Sequence, residues 1–166
     1  MSTLEQRPAE LPLRRAMEAR DLDAIMDAFA PDAVFRSPLT AKLTFKGRQQ
    51  IGALAQIVLD VFDDFHYTDE ARSENAAFLV ARARVDGQDI EMVDHIRLDP
   101  DGKIREVTAF FRPLPATAVA LRLLDAGLGR RKSRIRAAVI SGLSRPLGLM
   151  TRTGDGIGVR LVRPTL

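Results

Sequence analysis

Residues 76–112 read AAFLVARARVDGQDIEMVDHIRLDPDGKIREVTAFFR, and this stretch decides the fold. Apolar and polar residues alternate with a period of two on both sides of Asp86-Gly87, a dipeptide typical of tight hairpin turns. A second turn signal, Asp99-Pro-Asp-Gly102, precedes a third alternating run. The pattern predicts an antiparallel meander of three strands, over 76–85, 89–98 and 103–112.

The residues before the meander predict helices. Apolar residues recur at three- and four-residue spacing over 11–29, with an interruption near Asp21, and again over 49–62. Asp21 is a candidate N-cap, because its carboxylate can accept hydrogen bonds from amides of the following turn. Pro31 is expected to end the first helical segment.

Short strands are expected between the two helical segments, over 33–36 and 43–46. The chain thus begins with helices and short strands and continues with a run of antiparallel strands. This order is typical of an α+β fold, with helices packed on one face of a curled sheet.

Pro113 and Pro115 mark a predicted boundary between a domain over 1–115 and a C-terminal extension over 116–166. Residues 1–115 carry 15 Lys and Arg against 20 Asp and Glu, a net charge of −5. The extension carries 10 against 2, a net charge of +8, and together they give +3. The basic character therefore belongs to the extension.

The extension is expected to be mainly helical. A first helix is predicted over 117–128, ended by Gly127 and Gly129, and a basic helix follows from Arg130. The apolar residues of this basic helix form one stripe at four-residue spacing: Ile135, Val139, Leu143 and Leu147. The stripe can pack on the chain's own acidic domain.

Alternatively, the basic helix contacts a membrane surface or an acidic partner. The residues for that contact are Arg131, Lys132, Arg134 and Arg136. No recognition motif or aromatic platform accompanies the charge, so no nucleic-acid partner is expected.

Several classes of protein are excluded by what the sequence lacks. The absence of cysteine excludes disulfides, thiolate nucleophiles and cysteine-bound zinc. No signal-peptide pattern opens the chain, and no run of about 18 apolar residues could span a membrane, so a cytoplasmic protein is expected. His66 lies among acidic residues without a second histidine nearby, so no metal site is expected. No cofactor is expected either.

The apolar face of the second meander strand contains a carboxylate. The even positions of this strand are Ile90, Met92, Asp94, Ile96 and Leu98, which alternation places on one face. An ionised Asp94 there is costly, so either its pKa is raised or a neighbouring group bonds to it. A raised pKa suits a general acid or an oxyanion donor, whereas a bonded Asp94 would be structural.

Small side chains dominate the facing side of the neighbouring strand, at Ala77, Leu79, Ala81 and Ala83. They leave room for a cavity beside Asp94, or for a helix packed closely on the sheet. His95 should lie on the opposite face of the sheet, so a direct pair between His95 and Asp94 is not expected.

Several separate segments of the chain resemble the nuclear transport factor 2-like superfamily, in its SnoaL-like and ketosteroid isomerase-like branch. In chain order they are 18–25 (EARDLDAI), 29–35 (FAPDAVF), 46–51 (KGRQQI), 93–104 (VDHIRLDPDGKI) and 111–114 (FRPL). The resemblance covers about residues 10–115. It implies a cone-shaped, curled mixed sheet wrapped by N-terminal helices, with a deep apolar pocket. It also implies a homodimer, with the sheet face of His95 at the interface.

The resemblance also assigns site residues. Asp94 occupies the position of the protonated Asp that steroid isomerases use in their oxyanion hole. Ser37 falls where those enzymes have an Asp base, and Leu13 falls where they have a Tyr donor. Neither can replace the missing group, so steroid isomerisation is not expected. The pocket is expected to include Leu13, Ser37, Leu79, Ala81, Met92, Val107, Ala109 and Phe111.

Two functions remain open. The first is SnoaL-like binding of a small apolar molecule, such as a polycyclic or isoprenoid compound. If an isomerase, cyclase or hydrolase reaction follows, Asp94 is its acid or oxyanion donor. The second function is a non-catalytic ligand-binding or assembly module. Ser37 and Leu13 favour the second, whereas an unpaired Asp94 favours the first.

Overall fold

The computed structural model describes residues 10–38 and 43–132. The helices within these residues are α1 (Pro12–Glu18), α2 (Leu22–Asp27), α3 (Gly47–Val61) and α4 (Leu114–Lys132). The strands are β1 (Phe29–Arg36), β2 (Thr44–Lys46), β3 (Asp63–Arg72), β4 (Ala76–Val85), β5 (Gln88–Leu98) and β6 (Ile104–Arg112).

The strands form one mixed sheet in the order β2-β1-β6-β5-β4-β3. Neighbouring strands are antiparallel except β1 and β6, which are parallel. The register shifts within the β1–β6, β3–β4 and β5–β6 pairs, and such irregularities bend a sheet. The helices pack against this curled sheet, which confirms the predicted α+β cone.

The two N-terminal helices meet at Asp21, as the sequence predicts. Asp21 Oδ1 accepts a hydrogen bond of 3.0 Å from Ala24 N, which confirms Asp21 as the N-cap of α2. Arg20, just before it, has a φ of 55°, a left-handed conformation that cannot continue a helix.

Pro31 does not end a helix, contrary to expectation. Helix α2 ends at Asp27 and β1 begins at Phe29, so Pro31 lies inside a strand. It falls between Phe29 and Val34, where the register against β6 shifts. A strand tolerates a residue without an N–H at such an irregularity.

Helix α4 continues through Gly127 and Gly129 to Lys132, so the expected end at these glycines is wrong. Gly127 serves helix packing instead. A Cβ at this position would lie 2.5 Å from Ile57 Cγ2 on α3. Glycine therefore lets the two helices approach closely.

The first part of the predicted extension is packed into the fold. The core residues of α4 include Ala116, Val119, Ala120 and Leu124. The stripe of Ile135, Val139, Leu143 and Leu147 lies outside the described residues, as do Arg134, Arg136 and the side chains of Arg131 and Lys132. The role of this part of the extension, and the division after residue 115, stay predictions. Within residues 10–38 and 43–132, no helix has the length and apolar character needed to cross a membrane.

Candidate functional site

A cavity lies between the sheet and helices α1, α2 and α3. Its volume, taken as the space open to the centre of a water molecule, is about 80 Å³. One water needs roughly 10–15 Å³ by this measure, so there is room for roughly five to eight waters or a molecule of one or two rings. Six aromatic residues form part of the wall: Phe29, Phe35, Phe62, Phe65, Tyr67 and Phe111.

The rest of the wall is mainly aliphatic. Helix α1 supplies Leu13 and Met17, and α3 supplies leucine, isoleucine, valine and alanine side chains. Among the described residues that line the cavity, the side chains with hydroxyl or carboxyl groups are Tyr67 and Asp94. Polar recognition by the side chains of this wall therefore depends on these two residues.

Asp94 lies on β5 between Leu79 of β4 and Ala109 of β6. It forms no hydrogen bond or ion pair with the described residues. Burial raises the pKa of Asp94 from 3.8 to about 7, because the ionised form loses hydration without gaining a partner. Near neutral pH much of Asp94 is therefore protonated and able to donate a hydrogen bond. This arrangement favours the raised pKa over a bonded, structural Asp.

Most of the positions expected at the pocket come together. Those that line the cavity with Asp94 are Leu13, Met92, Val107, Ala109 and Phe111. Leu79 and Ala81 do not line it: they lie in the hydrophobic core, at 0% and 1% exposure, because neighbouring side chains enclose them. Their small size serves packing next to the cavity.

Ser37 also lies away from the cavity wall. It follows the end of β1, is partly buried, and its backbone N–H donates to Leu43 O at 3.2 Å. The position expected to hold a base thus adds no group to the cavity. Leu13 does line the cavity but contributes only hydrocarbon. The catalytic role of Asp94 stays a prediction.

Tyr67 is a cavity residue that sequence reasoning missed. It lies on β3 opposite Ala81 and is 5% exposed. Its ring meets the edge of Phe65, with centroids 5.0 Å apart. Burial, followed by the negative charge of Asp94, raises the pKa of Tyr67 well above 10.0, so its phenol stays neutral. The available signal was that Tyr67 is the only tyrosine in the chain.

Helix α1 holds the backbone of Tyr67 in place. Arg14 Nη2 donates to Tyr67 O at 3.1 Å, and Tyr67 N donates to Glu18 Oε1 at 2.9 Å. Glu70 Oε1 also accepts from Leu11 N at 2.9 Å. These charge-assisted bonds fix α1 on β3 and so fix Tyr67 beside the cavity.

The opposite face of the sheet carries other groups. His95 stacks on Phe78, with centroids 4.6 Å apart and an interplanar angle of 7°. Phe78 and Phe110 are 46% and 56% exposed. His66 is exposed, with Nδ1 2.8 Å from Asp64 O, and the described residues contain no cluster of three metal-ligating side chains.

Comparison of sequences identifies the family. The family model of the SnoaL-like domain matches residues 13–107, which is more than half of the chain. A comparison with curated protein sequences finds no match.

Three solved structures illustrate the shared fold. A steroid delta-isomerase from Pseudomonas aeruginosa is 32% identical, with a TM-score of 0.60 over 71% of this chain and 84% of that one. An uncharacterised protein with a cystatin-like fold from Silicibacter pomeroyi is 23% identical, with a TM-score of 0.69 over 79% and 90%. An NTF2-like protein of unknown function from Burkholderia xenovorans is 21% identical, with a TM-score of 0.55 over 60% and 77%.

The order of helices and strands, the curled mixed sheet with a cavity on its helix side, and the family match agree with one another. The chain belongs to the SnoaL-like family and has the nuclear transport factor 2-like fold that it shares with ketosteroid isomerase-like proteins.

Proposed function

We propose that this SnoaL-like protein binds a small, mainly hydrocarbon molecule in its cavity, and that protonated Asp94 donates a hydrogen bond to an oxygen atom of that molecule. One observation carries the proposal: a carboxyl group without a partner among the described residues faces an apolar cavity. Asp94 is half-buried, and no described residue bonds to its carboxyl group, so an oxygen atom of a molecule in the cavity can be its hydrogen-bond partner.

The size of the cavity limits the ligand. A space of about 80 Å³ suits a molecule of one or two rings or a short isoprenoid better than a larger polycycle. The aromatic wall adds contact area for such a hydrocarbon skeleton.

A reaction at the ligand oxygen is the first of two candidate outcomes. Asp94 would protonate or polarise that oxygen in an isomerase, cyclase or hydrolase step. The 32% identity to a steroid delta-isomerase supports an isomerase-type step. Steroid isomerisation itself is not proposed, because Ser37 lies off the cavity wall and Leu13 is a hydrocarbon.

Binding without turnover is the second candidate. The observation that favours it is that the described cavity wall contains no carboxylate besides Asp94 and no imidazole. Proton abstraction needs a base within hydrogen-bond reach of the substrate, and such a base is missing from this wall.

Binding is tested with a matched pair of probes: 1-indanone, a two-ring ketone, and indane, its hydrocarbon counterpart. Calorimetry should find that 1-indanone binds more tightly than indane below pH 7 and loses this advantage above pH 7, because ionised Asp94 cannot donate. Asp94→Asn keeps a donor and should make ketone binding independent of pH. Ketone binding to the wild-type protein that does not change between pH 5 and pH 8 would contradict the proposal.

Turnover is tested separately by hydrogen–deuterium exchange at the carbon next to the carbonyl of 1-indanone in deuterated buffer. A rate above that of buffer, abolished by Asp94→Leu, supports an enolising enzyme. A rate equal to that of buffer, with binding retained, supports the ligand-binding module.

We also propose that the protein forms a homodimer through the outer face of its sheet. Phe78 and Phe110 expose large apolar surfaces there, which a second copy would cover. The basic extension beyond Lys132 is proposed to pack on the chain's own acidic domain, with a membrane surface or an acidic partner as the alternative.

A further inference from the structure

The cavity wall combines two features that together suit a positively charged ligand. Asp94 has no partner among the described residues, and six aromatic residues line the same space. The π-electron face of an aromatic ring is negative, and it attracts ammonium groups that lie within about 6 Å of the ring centre. A neutral ligand oxygen makes no use of this attraction, and it pairs only with the protonated form of Asp94.

The ionised form of Asp94 lacks an opposite charge within the described chain. Burial raises the pKa of Asp94 to about 7, so roughly half of the molecules are ionised at neutral pH. The described wall residues from α1, α2, α3, β1 and β6 carry no charge, and β4 places a leucine beside Asp94. Tyr67 of β3 stays neutral, because its pKa lies well above 10.0.

The charged groups of the neighbouring contact between α1 and β3 do not compensate Asp94. Arg14 and Glu18 bond to the backbone of Tyr67, and Glu70 bonds to that of Leu11. These three charges act on the pKa of Tyr67, whereas burial alone sets that of Asp94. A cation bound in the cavity would therefore supply the missing opposite charge.

Four of the aromatic rings form two edge-to-face pairs. Phe62 and Phe111 have ring centroids 6.2 Å apart at an angle of 86°, and Phe65 and Tyr67 have centroids 5.0 Å apart at 89°. Nearly perpendicular rings form walls in two directions, so they can border a bound group on more than one side. Because the rings already pack on one another, little conformational entropy is lost when a ligand binds.

The small number of polar groups on the wall selects the kind of cation. The side-chain oxygen atoms of the described wall belong to Asp94 and Tyr67. A primary ammonium has three N–H donors, and each donor that is buried without an acceptor costs free energy. A protonated tertiary amine has a single N–H, which the Asp94 carboxylate can accept, and its alkyl groups can pack on the rings.

We infer that the cavity also binds a small, protonated tertiary amine, with ionised Asp94 as its counter-ion and the aromatic wall around its alkyl groups. This ligand class goes beyond the proposed function, because it uses the carboxylate of Asp94 and not the protonated carboxyl group. The two ligand classes therefore respond to pH in opposite directions. A ketone binds better as pH falls below 7, whereas the amine binds better as pH rises towards 7.

The test uses the full-length protein and two probes of the same shape: N-methylisoindoline, a tertiary amine that is protonated between pH 5 and pH 7, and the hydrocarbon indane. The affinity for the amine should follow the ionised fraction of Asp94, which rises roughly 50-fold between pH 5 and pH 7. The affinity for indane should not rise over this interval. Asp94→Asn keeps the shape without the charge, so it should bind the amine independently of pH and at least about tenfold more weakly than the wild-type protein at pH 7.

The role of the rings is tested with Phe111→Leu, and Val58→Ala is the matched control. Losing one ring should weaken amine binding about 2- to 5-fold more than indane binding, because leucine has no π-electron face. Val58→Ala alters the same wall without removing a ring, so it should change both affinities by the same factor. An amine-to-indane affinity ratio that is unchanged in both Phe111→Leu and Phe65→Leu would overturn the role given to the rings.

The carbon-13 signal of the Asp94 carboxyl group gives a readout that a structural role would not move. Bound N-methylisoindoline should lower the pKa of Asp94, whereas bound 1-indanone should raise it. An amine affinity that is equal at pH 5 and pH 7, with 1-indanone still bound below pH 7, would overturn this inference alone. Amine binding that strengthens with pH, without any ketone binding, would support this inference and contradict the proposed function. Failure of all three probes to bind would overturn both.

Discussion

Replacing Asp94 with Asn should change the pH dependence of folding stability. Asp94 has a folded-state pKa of about 7 against 3.8 for a free side chain, so the folded protein binds an extra proton between these values. Stability therefore falls as pH rises through this window, because ionised Asp94 is tolerated in the unfolded chain and not in the cavity. Below pH 3.8 both states are protonated and the contribution of Asp94 disappears.

The size of the effect follows from the shift. About three pKa units at about 1.4 kcal/mol each give a loss of about 4 kcal/mol above pH 7. About 2.5 kcal/mol of this loss falls between pH 5 and pH 8. Because Asp94 is half-buried and its carboxylate is partly accessible to solvent, these figures are upper bounds. Asp94→Asn cannot ionise, so its stability relative to the wild-type protein should rise by up to about 2.5 kcal/mol over the same interval.

Urea unfolding followed by far-ultraviolet circular dichroism measures this difference, since the chain has no tryptophan for fluorescence. Asp101→Asn, in an exposed turn, is the control for loss of a carboxylate without burial. A stability difference between Asp94→Asn and the wild-type protein that is the same at pH 5 and pH 8 would refute the argument, whatever its sign. Carbon-13 titration of the Asp94 carboxyl group gives the pKa directly.

Three further outcomes follow from the structure. Gly127→Ala should destabilise the fold by about 1–3 kcal/mol in urea unfolding, because the added Cβ meets Ile57. Ile57→Ala should relieve this clash, so the double variant should lose less stability than the sum of the two single losses. Phe110→Glu should shift a dimer to monomer in analytical ultracentrifugation, whereas a wild-type monomer would contradict the proposed homodimer. Deleting residues 133–166 should lower the melting temperature if the extension packs on its own domain; unchanged melting with loss of binding to anionic vesicles would favour the membrane alternative.

The fold could be predicted from the sequence because its signals are local. The alternation of apolar and polar residues around Asp86-Gly87, together with the turn over 99–102, predicts the bounds of β4, β5 and β6 almost to the residue. Single glycine and proline residues predict the ends of helices less well. The sequence predicts helix ends at Gly127 and Pro31. In the structure Gly127 accommodates Ile57 of α3, and Pro31 lies at a register shift of β1. Both roles depend on partners distant in sequence.

Of the two polar side chains at the cavity, the sequence predicts Asp94 but not Tyr67, because only Asp94 is marked by a local pattern. Asp94 stands out because period-two alternation alone places it on an apolar face. Tyr67 does not stand out, because β3 is rich in charged residues at an exposed sheet edge and shows no clean alternation. What fixes Tyr67 at the cavity are hydrogen bonds to Arg14 and Glu18, which are 53 and 49 residues away. No local pattern encodes contacts of that length.

The carboxyl group of Asp94 connects stability with function. The protein keeps an ionisable side chain where a hydrocarbon would pack without cost, and it loses stability with rising pH as a result. A ligand oxygen that accepts from protonated Asp94 binds the protonated state selectively, so it should raise the pKa of Asp94 further and recover stability near pH 7. Asp94→Leu should accordingly give a more stable protein that no longer distinguishes 1-indanone from indane through this group. A side chain that lowers the stability of the protein while it improves ligand recognition is expected to be a binding residue and not a structural one.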